Sequence, residues 1–160
     1  GKLPLGVTSK DVILQIIGKI GTAGGTGCVL EYAGSVISNL SVEQRMTICN
    51  MSIEGGARAG LIQPDEKIFN YLKDRPMSPK KENWEKALDY WSKLKSDSDA
   101  KFDKEINLKG DEIAPMVTWG TSPEDVVSIN GKIPNPENEK NIDKKNSINR
   151  SLDYLSLIHI

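Results

Sequence analysis

An apolar stripe close to the start of the sequence most limits the folds that this chain can adopt. Within residues 8–21, apolar side chains recur at the three- and four-residue spacing of a helix that buries one face. These residues are Val12, Ile13, Ile16, Ile17 and Ile20. Thr8 or Ser9 can cap the start of the helix, and Gly21 suits its end. Such a helix needs a second apolar layer to cover its face, so the elements that follow decide the fold class.

Short strands and further helices alternate after this helix. Strands are predicted in "CVLEYAG", "GLIQP", "KFDKEINL" and "APMVTWG". Ser41 and Gln44 form a capping box that begins a second helix, and Ser78 and Pro79 suit the start of a third. The apolar face of that third helix is predicted to be Trp84, Leu88, Trp91 and Leu94. The sequence therefore predicts an α/β chain of alternating helices and short strands. The helical residues expected to be largely buried are Ile13, Ile16, Ile17, Met46, Ile53, Trp84, Leu88 and Trp91.

The charge balance argues against a polyanionic partner. Lys and Arg total 21 against 22 for Asp and Glu, and the net charge is −1. Such a chain has no strong field to attract nucleic acid or an anionic membrane. No apolar run approaches the roughly 18 residues of a membrane span, and the start lacks the apolar region of a signal peptide. We expect a cytoplasmic protein with neither nucleic acid nor a membrane as its partner.

A change in composition predicts the domain organisation. Residues 131–146 are rich in Pro, Asn and Lys, as is typical of a solvated linker. This linker would separate an α/β segment, residues 1–130, from a short helical stretch, residues 147–160. The opening "GKLPLG" and the closing "LSLIHI" resemble neither end of a complete domain, so we expect a fragment of a longer protein with a doubtful C-terminal tail.

The glycine-rich segment "GTAGGTG" does not have the arrangement of a phosphate loop. Phosphate loops run from a strand through glycines into a helix, whose N-terminus binds the anion. Here the predicted order is helix, glycines, strand. A tight connection that uses the conformational freedom of glycine explains the segment better than nucleotide binding does.

The segment "RMTICNMSIEGGARAG" carries the candidate site residues. On a continuous helix, Asn50 and Glu54 would lie on a polar row beside an apolar stripe that includes Met46 and Ile53. One interpretation is a solvated row in which Glu54 and Arg58 form a pair worth about 0.2–0.5 kcal/mol. The other is that Asn50 and Glu54 take part in chemistry. Helical spacing alone leaves both open.

Three segments together resemble the large subunits of the 3-isopropylmalate dehydratases, a branch of the aconitase superfamily. They are "GKIGTAGGTGCVLEYAG", "RMTICNMSIEGGARAGLIQPDEKIFNYL" and "MVTWGTSPEDVVSI", and they occur in the family's order and spacing. The resemblance covers about residues 1–155. It implies part of the aconitase-type multidomain core. It also implies a hydro-lyase that interconverts 2-isopropylmalate and 3-isopropylmalate by dehydration and rehydration in leucine biosynthesis.

The resemblance also implies a cofactor, a partner and roles for two residues. A [4Fe–4S] cluster would act as a Lewis acid on substrate oxygens, and a small subunit would complete a heterodimer. By position in the motif, Asn50 would lie beside cluster sulfur as a cofactor-binding and catalytic residue. Glu54 would be catalytic and would accept a hydrogen bond from the hydroxyl or water on the open iron.

The sequence departs from the family at the cluster ligands. The family's Ser-Cys-Thr-Asn stretch and later CxxC motif are absent, so no metal ligand is assigned, and this chain by itself is expected to be inactive. Cys28 and Cys49 stand far apart without a CxxC motif, which predicts reduced thiols rather than a disulfide framework or a zinc site. His159 is given no role. The alternative to a hydro-lyase is a catalytically silent α/β module that binds a protein or a small ligand.

Overall fold

A computed structural model describes residues 1–155 of the chain, and His159 lies outside the described residues. The helices are α1 (Ser9–Ile20), α2 (Ser35–Asn39), α3 (Val42–Met51), α4 (Glu66–Leu72), α5 (Glu82–Trp91) and α6 (Ile142–Tyr154). The strands are β1 (Val29–Tyr32), β2 (Ala59–Ile62), β3 (Met116–Thr118) and β4 (Val126–Ser128). This mixture confirms the predicted α/β class. Within residues 1–155, no helix has the length and apolar character needed to cross a membrane.

The first helix forms as the sequence predicts. Thr8 caps it, and the Thr8 N–H and hydroxyl both donate to Asp11 Oδ2 at 2.7 Å. At the other end, Gly21 has a φ of 77° and its N–H donates to Ile17 O at 2.7 Å. Glycine adopts this positive φ without strain, so the chain can leave the helix sharply. The capping box predicted at Ser41 and Gln44 is also present, at the start of α3.

Two small sheets organise the described residues. Strands β1 and β2 pair in parallel, from Val29 opposite Ala59 to Tyr32 opposite Ile62. Helices α2 and α3 connect these strands, since a parallel pair needs a crossover, and α3 contacts both α1 and β2. Strands β3 and β4 form an antiparallel hairpin. The main core is built from Val12, Ile13, Ile17, Tyr32, Ile37, Leu40, Ile48 and Ile113.

The buried face of α3 differs from the predicted one. Met46 and Ile53 are exposed, at 51% and 57%, whereas Arg45, Ile48 and Ser52 are buried. Two polar contacts turn this other row inward, because Arg45 pairs with Asp65, and Ser52 hydrogen-bonds to Tyr32. The α-helix also ends at Met51, and a 3-10 turn covers Ser52–Gly55. Helical spacing therefore stops predicting which residues share a face at that point.

Two further predictions, both for the segment between α4 and β3, were wrong. Helix α5 begins at Glu82, after Lys81 with a φ of 52°, and not at Ser78 and Pro79. The Ser78 hydroxyl instead donates to Leu72 O at 2.5 Å, which closes the end of α4. Residues 101–108 form no strand, and none of the described strands pairs with them. An alternating pattern produces a strand only where a neighbouring strand can pair with it.

The aromatic face of α5 packs only in part. Trp84, Leu88 and Trp91 are half-buried, whereas Leu94 lies beyond the helix and is exposed. The rings of Trp84 and Trp91 meet edge to face, with centroids 5.8 Å apart, and Trp91 also stacks on Phe69 of α4. Ile16 is likewise half-buried on α1. Of the helical residues predicted to be largely buried, Ile13 and Ile17 are fully buried, as predicted.

Helix α6 packs against the β3–β4 hairpin. It begins at Ile142, inside the range 131–146 that the composition predicts to be a linker. Ile148 and Leu152 of α6 form a second small core with Trp119, against which Val127 packs. The division into segments 1–130, 131–146 and 147–160 stays a prediction.

Candidate active-site cleft

A polar cleft of about 350 Å³ lies between α1, the end of α3 and the β3–β4 hairpin. Its residues are Lys10, Leu14, Met51, Glu54, Thr118, Gly120, Thr121, Ser122 and Pro123. Three separate stretches of the chain therefore converge on it. Convergent polar side chains in a concave site are the usual starting point for a functional hypothesis.

Glu54 lies on a turn that is fixed from two sides. The Ser52 hydroxyl donates to Ile48 O at 3.0 Å and is itself 2.7 Å from the Tyr32 hydroxyl. Both groups are buried. Gly55 is also buried, and its carbonyl accepts a hydrogen bond from Gly25 N–H at 2.8 Å. The turn thus holds the Glu54 backbone in place between two anchored neighbours.

The Glu54 carboxylate itself has no partner within residues 1–155. It is exposed, and none of the hydrogen bonds or ion pairs among the described side chains involves it. The pair with Arg58 that a continuous helix would allow is not formed, because the α-helix ends at Met51 and Arg58 follows the turn. A carboxylate on a rigid turn, facing a cleft without a protein partner, is free to accept a hydrogen bond from a ligand.

Asn50 does not share this cleft. It lies in the last turn of α3, is exposed, and is not among the residues that line the cleft. The described residues therefore place only Glu54 of the two candidate residues in the cleft. The roles that the resemblance implies for Asn50 and Glu54 stay predictions.

The opposite wall of the cleft is a loop, residues 119–125, that is held at several points. Trp119 is buried against α6, and its backbone N–H donates to Asp125 O at 2.9 Å. Asp125 Oδ2 accepts from Ser122 N–H and from the Ser151 hydroxyl of α6, both at 3.3 Å. These contacts tie the loop to itself and to α6, so the Ser122 and Thr121 hydroxyls are presented from an ordered backbone.

A buried carboxylate, Asp11, joins α1 to the start of β3. Its Oδ1 accepts from Met116 N–H at 2.7 Å while its Oδ2 accepts from Thr8. Burial alone would raise the pKa of Asp11, but the hydrogen bonds from Met116 and Thr8 outweigh it and lower the pKa from its usual value. The ionised carboxylate therefore fixes the first turn of α1 beside β3, which brings Lys10 and Thr118 to one cleft.

Sequence reasoning missed Lys10 and the hydroxyl residues of the loop. Thr118, Thr121 and Ser122 belong to the segment "MVTWGTSPEDVVSI", which carries part of the resemblance but was assigned no site residue. For Lys10, its position in the first turn of a predicted helix was a feature that the sequence itself shows. A cation in the first turn of a helix is unfavourable next to the positive end of the helix dipole, so its presence there calls for a reason.

The described residues do not fit an iron–sulfur cluster. Within residues 1–155, no group of three or more His, Cys, Asp or Glu side chains could hold a metal ion. Cys28 and Cys49 lie on different parts of the chain, and the Cys28 thiol is 3.7 Å from Thr26 O. Burial raises the pKa of the Cys49 thiol, which disfavours the thiolate that a cluster needs as its ligand.

Comparison with known protein families gives a match over nearly the whole chain. Residues 1–159 match the family described as "Aconitase family (aconitate hydratase)". The match includes all the helices and strands described above and every residue that lines the cleft.

Proposed function

Because this chain belongs to the aconitase family, we propose that it is part of the large subunit of a 3-isopropylmalate dehydratase. Membership of the family supports a hydro-lyase type of function. The finer assignment rests on "QPDEKIFNYL" and "VTWGTSPEDV", which resemble the dehydratase branch. The reaction would interconvert 2-isopropylmalate and 3-isopropylmalate in leucine biosynthesis, in a cytoplasmic heterodimer with a small subunit.

The observation that supports this proposal most directly is the state of Glu54. A dehydration removes a hydroxyl from one carbon and a proton from its neighbour, so the enzyme needs groups that hold protons at those atoms. Glu54 is a carboxylate without a protein partner in the described residues, on a turn fixed by Ser52 and Gly55. We assign to it a hydrogen bond with the substrate hydroxyl: the protonated carboxyl donates its proton to the hydroxyl that leaves as water, and the carboxylate takes a proton back from the water that re-adds.

Members of the family generally bind a [4Fe–4S] cluster, and such a cluster supplies a Lewis acid for substrate oxygens. The described residues do not provide its ligands, so we propose that cysteines from other parts of the large subunit hold it. Asn50, in the exposed last turn of α3, is assigned to the surroundings of that cluster. Side chains near a cluster tune its potential and its access to solvent.

The test is a Glu54→Gln variant in the assembled large and small subunits. Turnover of 2-isopropylmalate should fall about 10²- to 10⁴-fold, the usual range for a lost acid–base group. The interconversion can be followed by chromatography of the two isopropylmalates. Glu43→Gln is the matched control, because Glu43, on α3, is likewise an exposed carboxylate but does not line the cleft. It should leave turnover unchanged.

Iron and sulfide analysis of each variant separates an acid–base effect from loss of the cluster. Asn50→Ala should change cluster content or stability together with rate, whereas Glu54→Gln should lower turnover at full cluster content. Near-normal turnover in Glu54→Gln would contradict the proposed role. A wild-type enzyme that binds a small ligand but interconverts no hydroxy acid would instead support the silent binding module.

A further inference from the structure

Lys10 holds an unusual position for a charged side chain. It is the second residue of α1, it is exposed, and it lines the cleft. The positive end of the helix dipole disfavours a cation there. No ion pair or hydrogen bond to another side chain of residues 1–155 compensates. The neighbouring Asp11 accepts its hydrogen bonds from Thr8 and Met116 and makes no ion pair with Lys10.

The charges that line the cleft suggest what occupies it. Lys10 is the one cation and Glu54 the one carboxylate among the lining residues, and they do not form an ion pair with each other. Leu14 and Met51 add an apolar part to the lining. A complementary ligand would carry a carboxylate towards Lys10, a hydroxyl towards Glu54 and an alkyl branch against the apolar part.

We infer that Lys10 binds a carboxylate of the hydroxy-dicarboxylic acid substrate, in the same cleft in which Glu54 meets its hydroxyl. This inference rests on the function proposed above and deepens it by naming a substrate-binding residue. A lysine ammonium is a compact point charge with three hydrogen-bond donors, which suits a carboxylate ligand. The ligand carboxylate would give the Lys10 ammonium the partner that it lacks among the described side chains.

Hydrogen bonds fix the backbone segments around the cleft. Asp11 ties the first turn of α1 to β3, and Asp125 ties the loop that carries Thr121 and Ser122 to α6. Glu124 Oε2 accepts from Thr22 N–H at 2.9 Å, which joins the same loop to the glycine-rich connection after α1. A backbone that is already fixed lowers the free-energy cost of ordering the site around a ligand.

The experiment uses the assembled heterodimer with Lys10→Met, Lys10→Arg and Lys19→Met. Lys19 is the matched control because it is exposed on the same helix but lies outside the cleft. Two quantities are measured: steady-state kinetics with 2-isopropylmalate, and calorimetric binding of isopropylsuccinate. The latter keeps both carboxylates and the alkyl branch but has no hydroxyl to lose.

A lost hydrogen bond to a charged group weakens binding by about 10- to 100-fold. Lys10→Met should therefore raise both KM and the isopropylsuccinate Kd by about that factor, with kcat changed much less. Lys10→Arg keeps the charge and should recover most of the affinity. Lys19→Met should change neither quantity more than about twofold, as expected for a distant surface residue. Circular dichroism of each variant excludes a folding defect.

The outcomes separate this inference from the proposed function. An active wild-type enzyme in which Lys10→Met leaves KM and Kd unchanged would overturn the role of Lys10 and leave the dehydratase proposal standing. A second outcome is a wild-type enzyme that binds isopropylsuccinate but does not turn over isopropylmalate, together with a Lys10→Met variant that no longer binds isopropylsuccinate. This result would overturn the dehydratase proposal and support the carboxylate site. Absence of both activity and binding in the wild type would overturn both.

Discussion

The ion pair between Arg45 and Asp65 offers the sharpest test of how α3 is held in place. Arg45 Nη2 donates to Asp65 Oδ2 at 2.6 Å and to Ser38 O at 3.0 Å. Arg45 is only 3% exposed, and its Nε and Nη1 atoms have no partner among the described residues. Removal of the Asp65 charge would thus leave a buried guanidinium with one hydrogen bond.

The change to make is Asp65→Asn, because it isolates the charge. Asp65 also caps α4 by accepting from Lys67 N–H and Ile68 N–H, and asparagine caps a helix about as well as aspartate. Breaking a buried pair by removing one partner costs about 3–5 kcal/mol. The Asp65 side chain is 34% exposed, and water around it screens the pair. We therefore expect a loss of about 2–3 kcal/mol at neutral pH.

The pH dependence of this loss has a definite sign. The hydrogen bond from Arg45 lowers the pKa of Asp65 against the opposing effect of burial. Between this lowered pKa and the unfolded value of about 3.9, the unfolded chain binds more protons than the folded one, so stability falls as the pH falls. The difference between wild type and Asp65→Asn should therefore be full above about pH 5 and shrink at lower pH.

Equilibrium urea unfolding of the chain, followed by tryptophan fluorescence and far-UV circular dichroism, measures this difference. Two control variants bracket it. Asp65→Ala also removes the cap and should cost about 1 kcal/mol more than Asp65→Asn. Adding Arg45→Met to Asp65→Asn removes the unpaired charge and should restore much of the lost stability. A loss within about 0.5 kcal/mol, the range of ordinary surface substitutions, or a difference that does not change with pH, would refute the reasoning.

Two further predictions concern packing and cofactor binding. Gly60→Ala should destabilise the chain by about 1–3 kcal/mol as an overpacking substitution, measured by the same unfolding experiment. A Cβ at Gly60 would overlap Ser52 Oγ and lie 2.9 Å from Cys49 Cα. A Cβ at Gly1 would make only an ordinary van der Waals contact, 3.4 Å from Gly110 N, so Gly1→Ala should be neutral. Anaerobic reconstitution of the purified chain should yield no stoichiometric [4Fe–4S] cluster, because two separated thiols cannot supply the usual ligands. Stoichiometric bound sulfide with the visible absorption of such a cluster would contradict this.

Local sequence patterns determined several elements before any tertiary contact was considered. The apolar spacing between Val12 and Ile20, with Thr8 and Gly21 as caps, predicts α1 at its observed bounds. The capping box at Ser41 and Gln44 predicts the start of α3. These features depend on neighbours within four residues, so a sequence contains all the information they need.

The buried face of α3 was decided by contacts between distant residues. Met46 and Ile53 are apolar and helically spaced, yet Arg45 and Ser52 point inward. Their partners are Asp65 and Tyr32, each 20 residues away in the sequence. Hydropathy favours an apolar face by default, but a paired charge or a satisfied hydroxyl can be buried as well.

In the candidate site, too, one residue was suggested by the sequence and another was identified only from the tertiary structure. A family motif within one segment suggested Glu54 from the sequence, and the geometry of the turn at Ser52–Gly55 explains its exposure. Lys10 joins the same cleft through tertiary contacts of α1, among them the hydrogen bond that Asp11 accepts from Met116 N–H across 105 residues of sequence. No local pattern contains that bond, since the free energy of a contact depends on which groups the complete fold brings within reach and shields from water.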